Sequence, residues 1–422
     1  MSAAVAGLRC IVVGAGIGGL ATALSLHEIG AEVDVYDSVK ELQPLGVGIN
    51  LLPHAVRELD ALGLLDELQA RSVAPSVLLY CTRRGQEIWR EARGIAAGYP
   101  WPQLSIHRGT LQKILLHAVI DRLGGAALHL GQPLLRIEER DDGPTVVFDD
   151  GPTKTDLVVA ADGIHSRARR QLYPDEGPPL WNGSLLWRGV AEIDPVLDGR
   201  TMIWAGHPEQ KFVGYPIADL PGGRQAFNFV AELRRPESDL GAEEDWNRRG
   251  SLEDFLPEFE AWNFGWLDIP AIVRAAPETF LFPMVDRDPV ERWTFGRSTL
   301  LGDAAHPMYP IGSNGASQAI LDARVLAGCI RRSPDDLAGA LDHYEATRRP
   351  ATAAVVRANR GLGPELPMLL VEQRAPDGFG DITEVITPEE IARVTEEYRR
   401  TAGFSLAALQ SGTSLLDEPF PL

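Results

Sequence analysis

Gly14-Ala15-Gly16-Ile17-Gly18-Gly19 is the stretch from which the rest of this chain is read. A β-rich apolar run, Leu8 to Val13, leads into it, and an apolar helical stretch from Leu20 to Ile29 leaves it, closed by Gly30. Ala31 to Asp37 then reads as a second strand, so the opening is one strand–helix–strand unit. A Gly-x-Gly-x-x-Gly turn by itself requires only a tight bend. Here it joins a strand to a helix, and Asp37 follows 23 residues after Gly14, where an acid accepts hydrogen bonds from a ribose. Glycine lets the backbone approach a pyrophosphate, and the helix start adds unpaired N–H groups and a dipole worth about 0.3–1 kcal/mol per charge. The predicted ligand is a dinucleotide, with Gly14, Gly16 and Gly19 at its pyrophosphate and Asp37 at the adenosine ribose.

Two later segments choose between dinucleotides. Gly302-Asp303-Ala304-Ala305-His306-Pro307 follows a strand-like run, and Gly312-Ser313-Asn314-Gly315-Ala316-Ser317-Gln318 opens a helix. An acid such as Asp303 can bind a polyol chain, and a helix start near Gly315 can face the N1–C2=O edge of a flavin, which gains negative charge on reduction. Both features point to FAD. No second Gly-x-Gly-x-x-Gly follows a strand, so the nicotinamide donor, NADH or NADPH, is expected to visit transiently.

Further helices are predicted over Leu111–Leu123, Ser317–Ile330 and Pro388–Thr401. Leu157 to Ala161 and Thr299 to Leu301 are short all-apolar runs, which suit buried parallel strands. Between Pro178 and Pro283, aromatics concentrate and alternating segments such as Gly189–Ile193 and Ala226–Leu233 appear, as in an inserted antiparallel sheet.

The 422 residues carry 40 basic and 59 acidic side chains, a formal charge of -19, which argues against nucleic acid and anionic membrane as partners. Cys10, Cys81 and Cys329 show no paired spacing, and no basic region precedes an apolar stretch at the N-terminus; a reducing cytoplasm is the expected location. No apolar run reaches the ~18 residues of a membrane span. No metal-ligand cluster and no hydrolase signature is present in the sequence.

The glycine turn, Asp162-Gly163-Ile164-His165-Ser166 with Arg169, and Gly302 to Pro307 together resemble the class A flavoprotein aromatic hydroxylases. Pro44 to Asn50, Ser105 to Gly109, Trp187 to Val190, Pro283 to Pro289 and Met308 to Gln318 narrow the resemblance to their phenazine-pathway branch. The similarity runs from residue 8 to about 360. It implies an α/β fold: a Rossmann-like FAD-binding domain of GR2 type from residues 1–75, 105–176 and 285–360, and an inserted mixed or antiparallel β-sheet substrate domain from 76–104 and 177–284. C-terminal helices would fill 361–422.

The implied activity is hydroxylation of an aromatic or heteroaromatic small molecule with NAD(P)H and O2 through a C4a-hydroperoxyflavin. A ring carboxylate hydroxylated at its carboxyl-bearing carbon would release CO2. The resemblance implies Arg108 at the phosphate or ribityl region, Asp303 at the ribityl hydroxyls, Gly48-Ile49 and Gly315-Ala316-Ser317 at the isoalloxazine, and Leu134 near the adenine. The Asp162-Gly163 segment would serve both FAD and the nicotinamide. Trp187, Arg188, Tyr215 and Met284 would line the substrate site, with Pro310, Tyr215 and Arg188 at the chemistry. An aromatic wall with one cation suits a planar anion, although such aromatics also serve as core and Arg188 could pair with a structural acid. His54 carries no assigned role, and His306 is expected to be structural. The protein would be a monomer or homodimer. Epoxidation, N-hydroxylation or Baeyer–Villiger oxidation on the same scaffold, and a flavin NADH oxidase or regulatory protein, are the alternatives.

Overall fold

The computed structural model describes residues 5–42, 46–239, 248–410 and 412–418. The first four residues, and Pro44 and Leu45 of the quoted motifs, lie outside them. Arg9–Val13, Glu32–Asp37 and Leu157–Ala160 form the centre of a six-stranded sheet, flanked by Leu128–Leu130 on one side and by Ser298–Leu300 and Thr294–Phe295 on the other. Every pairing in it is parallel except the last hairpin. Val12 sits between Val35 and Val159 with all three buried, as strands covered on both faces require. Helices Ile17–Glu28, Arg108–Leu123 and Gly315–Arg332 supply part of the cover, the first packing against both others, and Val146 and Phe148 join the same core, with Phe148 stacked on Tyr36.

The Gly14 turn explains its own composition. Gly14 has φ +105°, and a Cβ there would lie 2.3 Å from the Ala161 carbonyl oxygen. At Gly19 a Cβ would fall 1.8 Å from the Gly14 oxygen, so the helix can start this close to the strand only with hydrogen there. Gly16 is different: nothing lies within 4 Å of its Cβ position.

The second sheet has seven strands in the order Thr279–Asp286, Leu180–Ile193, Gln225–Arg234, Gln210–Asp219, Thr201–His207, Val77–Cys81 and Glu87–Ala92. Its single parallel pairing, Thr201–His207 with Val77–Cys81, makes it mixed. Side chains alternate between its faces. Trp187, Phe212, Phe227, Phe229 and Ala231 form one core with Phe255, Phe259, Ile269 and Val273. Leu78, Tyr80, Trp204 and Tyr215 face the other way, onto Met368, Val371, Ile386 and Ile391 of the C-terminal segment. The short ribbon Gly48–Leu51 with Leu104–His107 lies between the sheets.

Pro388–Thr401 is a helix with the expected bounds, capped by Thr387. A three-stranded sheet, Arg136–Glu138, Thr145–Phe148 and Gly151–Lys154, and the long helix Leu337–Arg360 go beyond the sequence reading. That helix runs through Pro350, because buried Leu341, Tyr344, Val355 and Val356 on both sides of it hold the chain in place.

Replacing Gly14 by alanine should cost on the order of 1–3 kcal/mol, through strain at positive φ and the clash with Ala161. In protein free of bound ligand, Gly16→Ala should stay within about 0.5 kcal/mol of wild type. Thermal unfolding followed by circular dichroism checks both, and equal midpoints for the two variants would contradict this account of the turn.

Candidate active site

Helices Ile17–Glu28 and Gly315–Arg332 lie side by side and begin at the same cavity, of about 320 Å³. Neither N-cap, Gly16 or Asn314, offers a side chain to the first-turn N–H groups. Gly16, Ile17, Gly18, Gly315 and Ala316 line the cavity, so two sets of unpaired donors and two positive dipole ends look into it. A Cβ at Gly16 or Gly163 would meet nothing within 4 Å, and at Gly315 only Asp303 Oδ1 at 4.0 Å.

Asp303 and Arg108 face this end of the cavity. Asp303 is open to the cavity but otherwise enclosed, and that enclosure raises its carboxyl above the ordinary range, with His306 and Arg108 opposing and Asp322 adding to the rise. Enclosure likewise lowers the Arg108 guanidinium, opposed by Asp303 and assisted by Arg188. The Asp303 loop is braced from behind. His306 Nε2 meets Asp322 Oδ2 at 2.5 Å, Arg348 Nε donates to Asp322 Oδ1 at 2.6 Å, and Gly302 N–H donates to Asp322 at 3.2 Å. Burial by itself would raise the Asp322 carboxyl, but His306 and Arg348 outweigh it and hold it below the ordinary value.

The loop that precedes Gly315 turns on Gly312 and Ser313, at φ +68° and +60°. Tyr398, from the C-terminal segment, clamps it. Its hydroxyl donates to Asn359 Oδ1 at 2.7 Å and accepts from Asn314 Nδ2 at 2.8 Å, with the Ile311 carbonyl at 3.2 Å. The resemblance gave no hint of this contact, because the similarity ends near residue 360.

The other end of the cavity is a face of the seven-stranded sheet. Leu186 and Arg188, Trp204, Lys211, Val213 and Tyr215, Val230 and Glu232, and Met284 line it, each strand contributing alternate residues. Arg188 donates to the Gly48 carbonyl at 2.6 Å, and the Tyr215 hydroxyl donates to the same oxygen at 2.9 Å. Arg188 Nε has no hydrogen-bond partner, and its guanidinium lies 5.6 Å from the Phe282 ring centroid. Enclosure lowers its pKa while Tyr215 opposes that shift.

Of the expected residues, Gly16, Gly48, Ile49, Arg108, Arg188, Tyr215, Met284, Asp303, Pro310, Gly315 and Ala316 line this one cavity. Others do not. Trp187 points to the opposite face of the sheet, stacked on Phe255 at 5.2 Å; it follows Leu186 and precedes Arg188, and alternation sends it into the core. Leu134 is a core residue. Asp162 uses its carboxylate on Ser166 Oγ and the N–H groups of Arg167 and Ala168, capping a helix, while its neighbours Ala161 and Gly163 reach the cavity. Gly14 and Gly19 pack within the turn. Asp37 braces it through the Ala15 N–H at 2.6 Å and the Val39 N–H at 3.0 Å. Ser317 Oγ accepts from Leu52 N–H. Lys211, Glu232 and Glu365 are cavity-lining charges outside the sequence reading, and nothing in their local sequence marks them.

The donors fit FAD: uncapped helix starts and Arg108 for an anion, Asp303 for a polyol, and a glycine cradle left open where a Cβ would intrude. Residues 8–359 match the family described as FAD binding domain. The chain is 44% identical over 366 residues to phenazine 1,6-dicarboxylic acid hydroxylase PhzS of Lysobacter antibioticus, covering 83% of this chain and 88% of that protein. It is 34% identical to 3-amino-4-hydroxybenzoate 2-monooxygenase of Streptomyces cremeus, covering 94% and 96%. The crystal structure of Klebsiella pneumoniae HpxO complexed with FAD and uric acid superposes with a TM-score of 0.74 at 26% identity, covering 95% of this chain and 97% of that one. Among the described residues no helix is long and apolar enough to cross a membrane, and no His, Cys, Asp and Glu cluster could hold a metal.

Because Asp322 is held below its ordinary pKa, it contributes stability that is fully present above about pH 4 and is lost as pH falls through its lower folded value. Asp322→Asn should therefore destabilise the protein by about 3–5 kcal/mol at pH 7. The gap to wild type should narrow below about pH 4. Denaturant unfolding at both pH values measures it, and a gap that does not change with pH contradicts the assignment.

Proposed function

We propose a division of labour for this chain, which belongs to the FAD binding domain family and is an FAD- and NAD(P)H-dependent monooxygenase of the class A flavoprotein aromatic hydroxylases. The helix start at Gly16–Gly18 holds the pyrophosphate, with Gly14 and Gly19 shaping the turn and Asp37 beside it for the adenosine ribose. Arg108 and Asp303 take the phosphate and ribityl chain. Backbone at Gly48-Ile49 and at Gly315-Ala316, with Ser317 next in the same helix, would border the isoalloxazine, and Pro310 would lie beside it. FAD supplies, when bound, electrons from NAD(P)H and the activation of O2 that a ring hydroxylation needs.

The chain itself positions and shields. Leu186, Trp204, Val213, Val230 and Met284 hold a flat ring and keep water from it. The helix starting at Gly315 favours negative charge on the ring edge that faces it. Arg188 pairs with a carboxylate on the substrate, and the Tyr215 hydroxyl lies beside it. One observation carries this reading: Arg188 is an enclosed cation whose hydrogen-bond partners, the Gly48 carbonyl and the Tyr215 hydroxyl, are both neutral, in an otherwise apolar part of the cavity, and such a charge calls for an anion. The substrates in the names of the two relatives, a phenazine dicarboxylic acid and an aminohydroxybenzoate, are also ring carboxylates. Three buried free cysteines suit a reducing cytoplasm.

The purified protein should be yellow, and phenazine, salicylate-like or pyridine carboxylates should stimulate its NAD(P)H oxidation and acquire one oxygen from labelled O2. Oxidation that yields only peroxide would instead favour an NADH oxidase. Arg188→Ala should raise KM for the active carboxylate about 10–100-fold, the worth of a charged hydrogen bond, with flavin content intact. An unchanged KM would remove Arg188 as the anchor.

A further inference from the structure

Lys211, Glu232 and Glu365 are each buried to within 5% exposure and all line the cavity. Lys211 Nζ lies 2.7 Å from Glu232 Oε2 and 2.5 Å from Glu365 Oε2. One cation therefore serves two carboxylates, leaving acceptor capacity and one negative charge in excess. Glu365 does not belong to the sheet. It arrives from a turn in which Leu362 and Gly363 both have positive φ, 70° and 47°, so the C-terminal segment is bent to deliver a carboxylate to this wall. Burial raises the Glu365 carboxyl and Lys211 opposes the rise, as expected of a pair short of one compensating donor.

The strand register places this cluster relative to Arg188. Lys211 pairs with Glu232 and Glu232 with Leu186, forming one row across the sheet. The next cavity-facing row is Trp204, Val213, Val230 and Arg188. The third is Tyr215 with Asn228, where Arg188 and Tyr215 converge on Gly48. From the Tyr215 row to the Lys211 row is four residues of strand, about 13 Å at ~3.3 Å per residue. The site is a slot: cationic at one end, acceptor-rich and anionic at the other, apolar between.

We propose that the Lys211–Glu232–Glu365 cluster is a substrate-recognition site for an N–H-bearing group, an amino substituent or ring N–H, at the far end of a fused-ring carboxylate. This rests on the reading that Arg188 anchors the carboxylate. The excess acceptors take the N–H, the middle row covers the ring faces, and the length suits two or more fused rings. A ring with a methyl group in that place would leave the carboxylates without the donor.

The probes are 6-amino-2-naphthoate and its isostere 6-methyl-2-naphthoate, which differ only at the end away from the carboxylate. Their dissociation constants are measured on purified holoenzyme from the change in flavin absorbance, alongside thermal midpoints. Wild type should bind the amino compound at least tenfold more tightly. In Glu365→Gln the preference should fall below threefold with affinity for the methyl compound unchanged; Glu232→Gln serves if Glu365→Gln lowers the midpoint. No amino preference in wild type, no binding of the amino compound, or a preference that survives both substitutions would overturn the proposal. Arg188→Ala should weaken both probes equally. If it weakens neither while the amino preference persists, the carboxylate anchor fails and the N–H site stands.

Discussion

Two helix N-termini open into one cavity without a side chain to cap either of them. Capping residues would satisfy the first-turn N–H groups but fill the space those groups look into. The open ends are tolerable because an anion can replace the caps, and much of the surrounding structure keeps them open. Asp37 fixes the first turn through Ala15. Asp322, held by His306 and Arg348, fixes the loop before the second helix. Tyr398 fixes the turn at Gly312 and Ser313. Asp322, His306, Arg348 and Tyr398 are buried and paired and Asp37 is half-buried and paired, so the loops are held in place even though they carry no regular hydrogen-bond ladder.

The second sheet shows how a period of two makes a core and a binding surface from the same strands. Trp187, Phe212 and Phe229 pack under helices on one side, while their immediate neighbours on the same strands, Arg188, Lys211 or Val213, and Val230, line the cavity. Aromatic mass on one face lets the other carry charge. A shift of one residue in register would exchange the two sets, which is why the sheet is long and paired on both edges of Leu180–Ile193.

The nucleotide-binding half was legible because its chemistry is local. The Gly14 turn, Asp37, Asp303 and the helix start at Gly315 each combine a residue type with a boundary that periodicity reveals. The sheet was less so. Trp187 and Arg188 are adjacent, and a sequence with no known register does not say which of the two faces the substrate. Lys211 and Glu365 are 154 residues apart, and their meeting depends on tertiary packing alone. The strands between Arg136 and Lys154 lie in a stretch rich in Asp and Gly, where turn signals mask short pairings. Pro350 concealed a helix in the same way, since its local cost is offset by burial that only the fold supplies.

The C-terminal segment lies almost wholly beyond the stretch that matches the FAD binding domain family, yet it reaches both ends of the cavity. Through Glu365 it forms part of the wall of the slot, and through Tyr398 it grips the loop at the start of the second open helix. The wall of the slot and the loop at the second open helix are thus mechanically joined through one stretch of chain, from Glu365 to Tyr398. A substitution that shifts the backbone of this stretch displaces a carboxylate at one end of the cavity and a clamp at the other, so neither end can be altered through it alone.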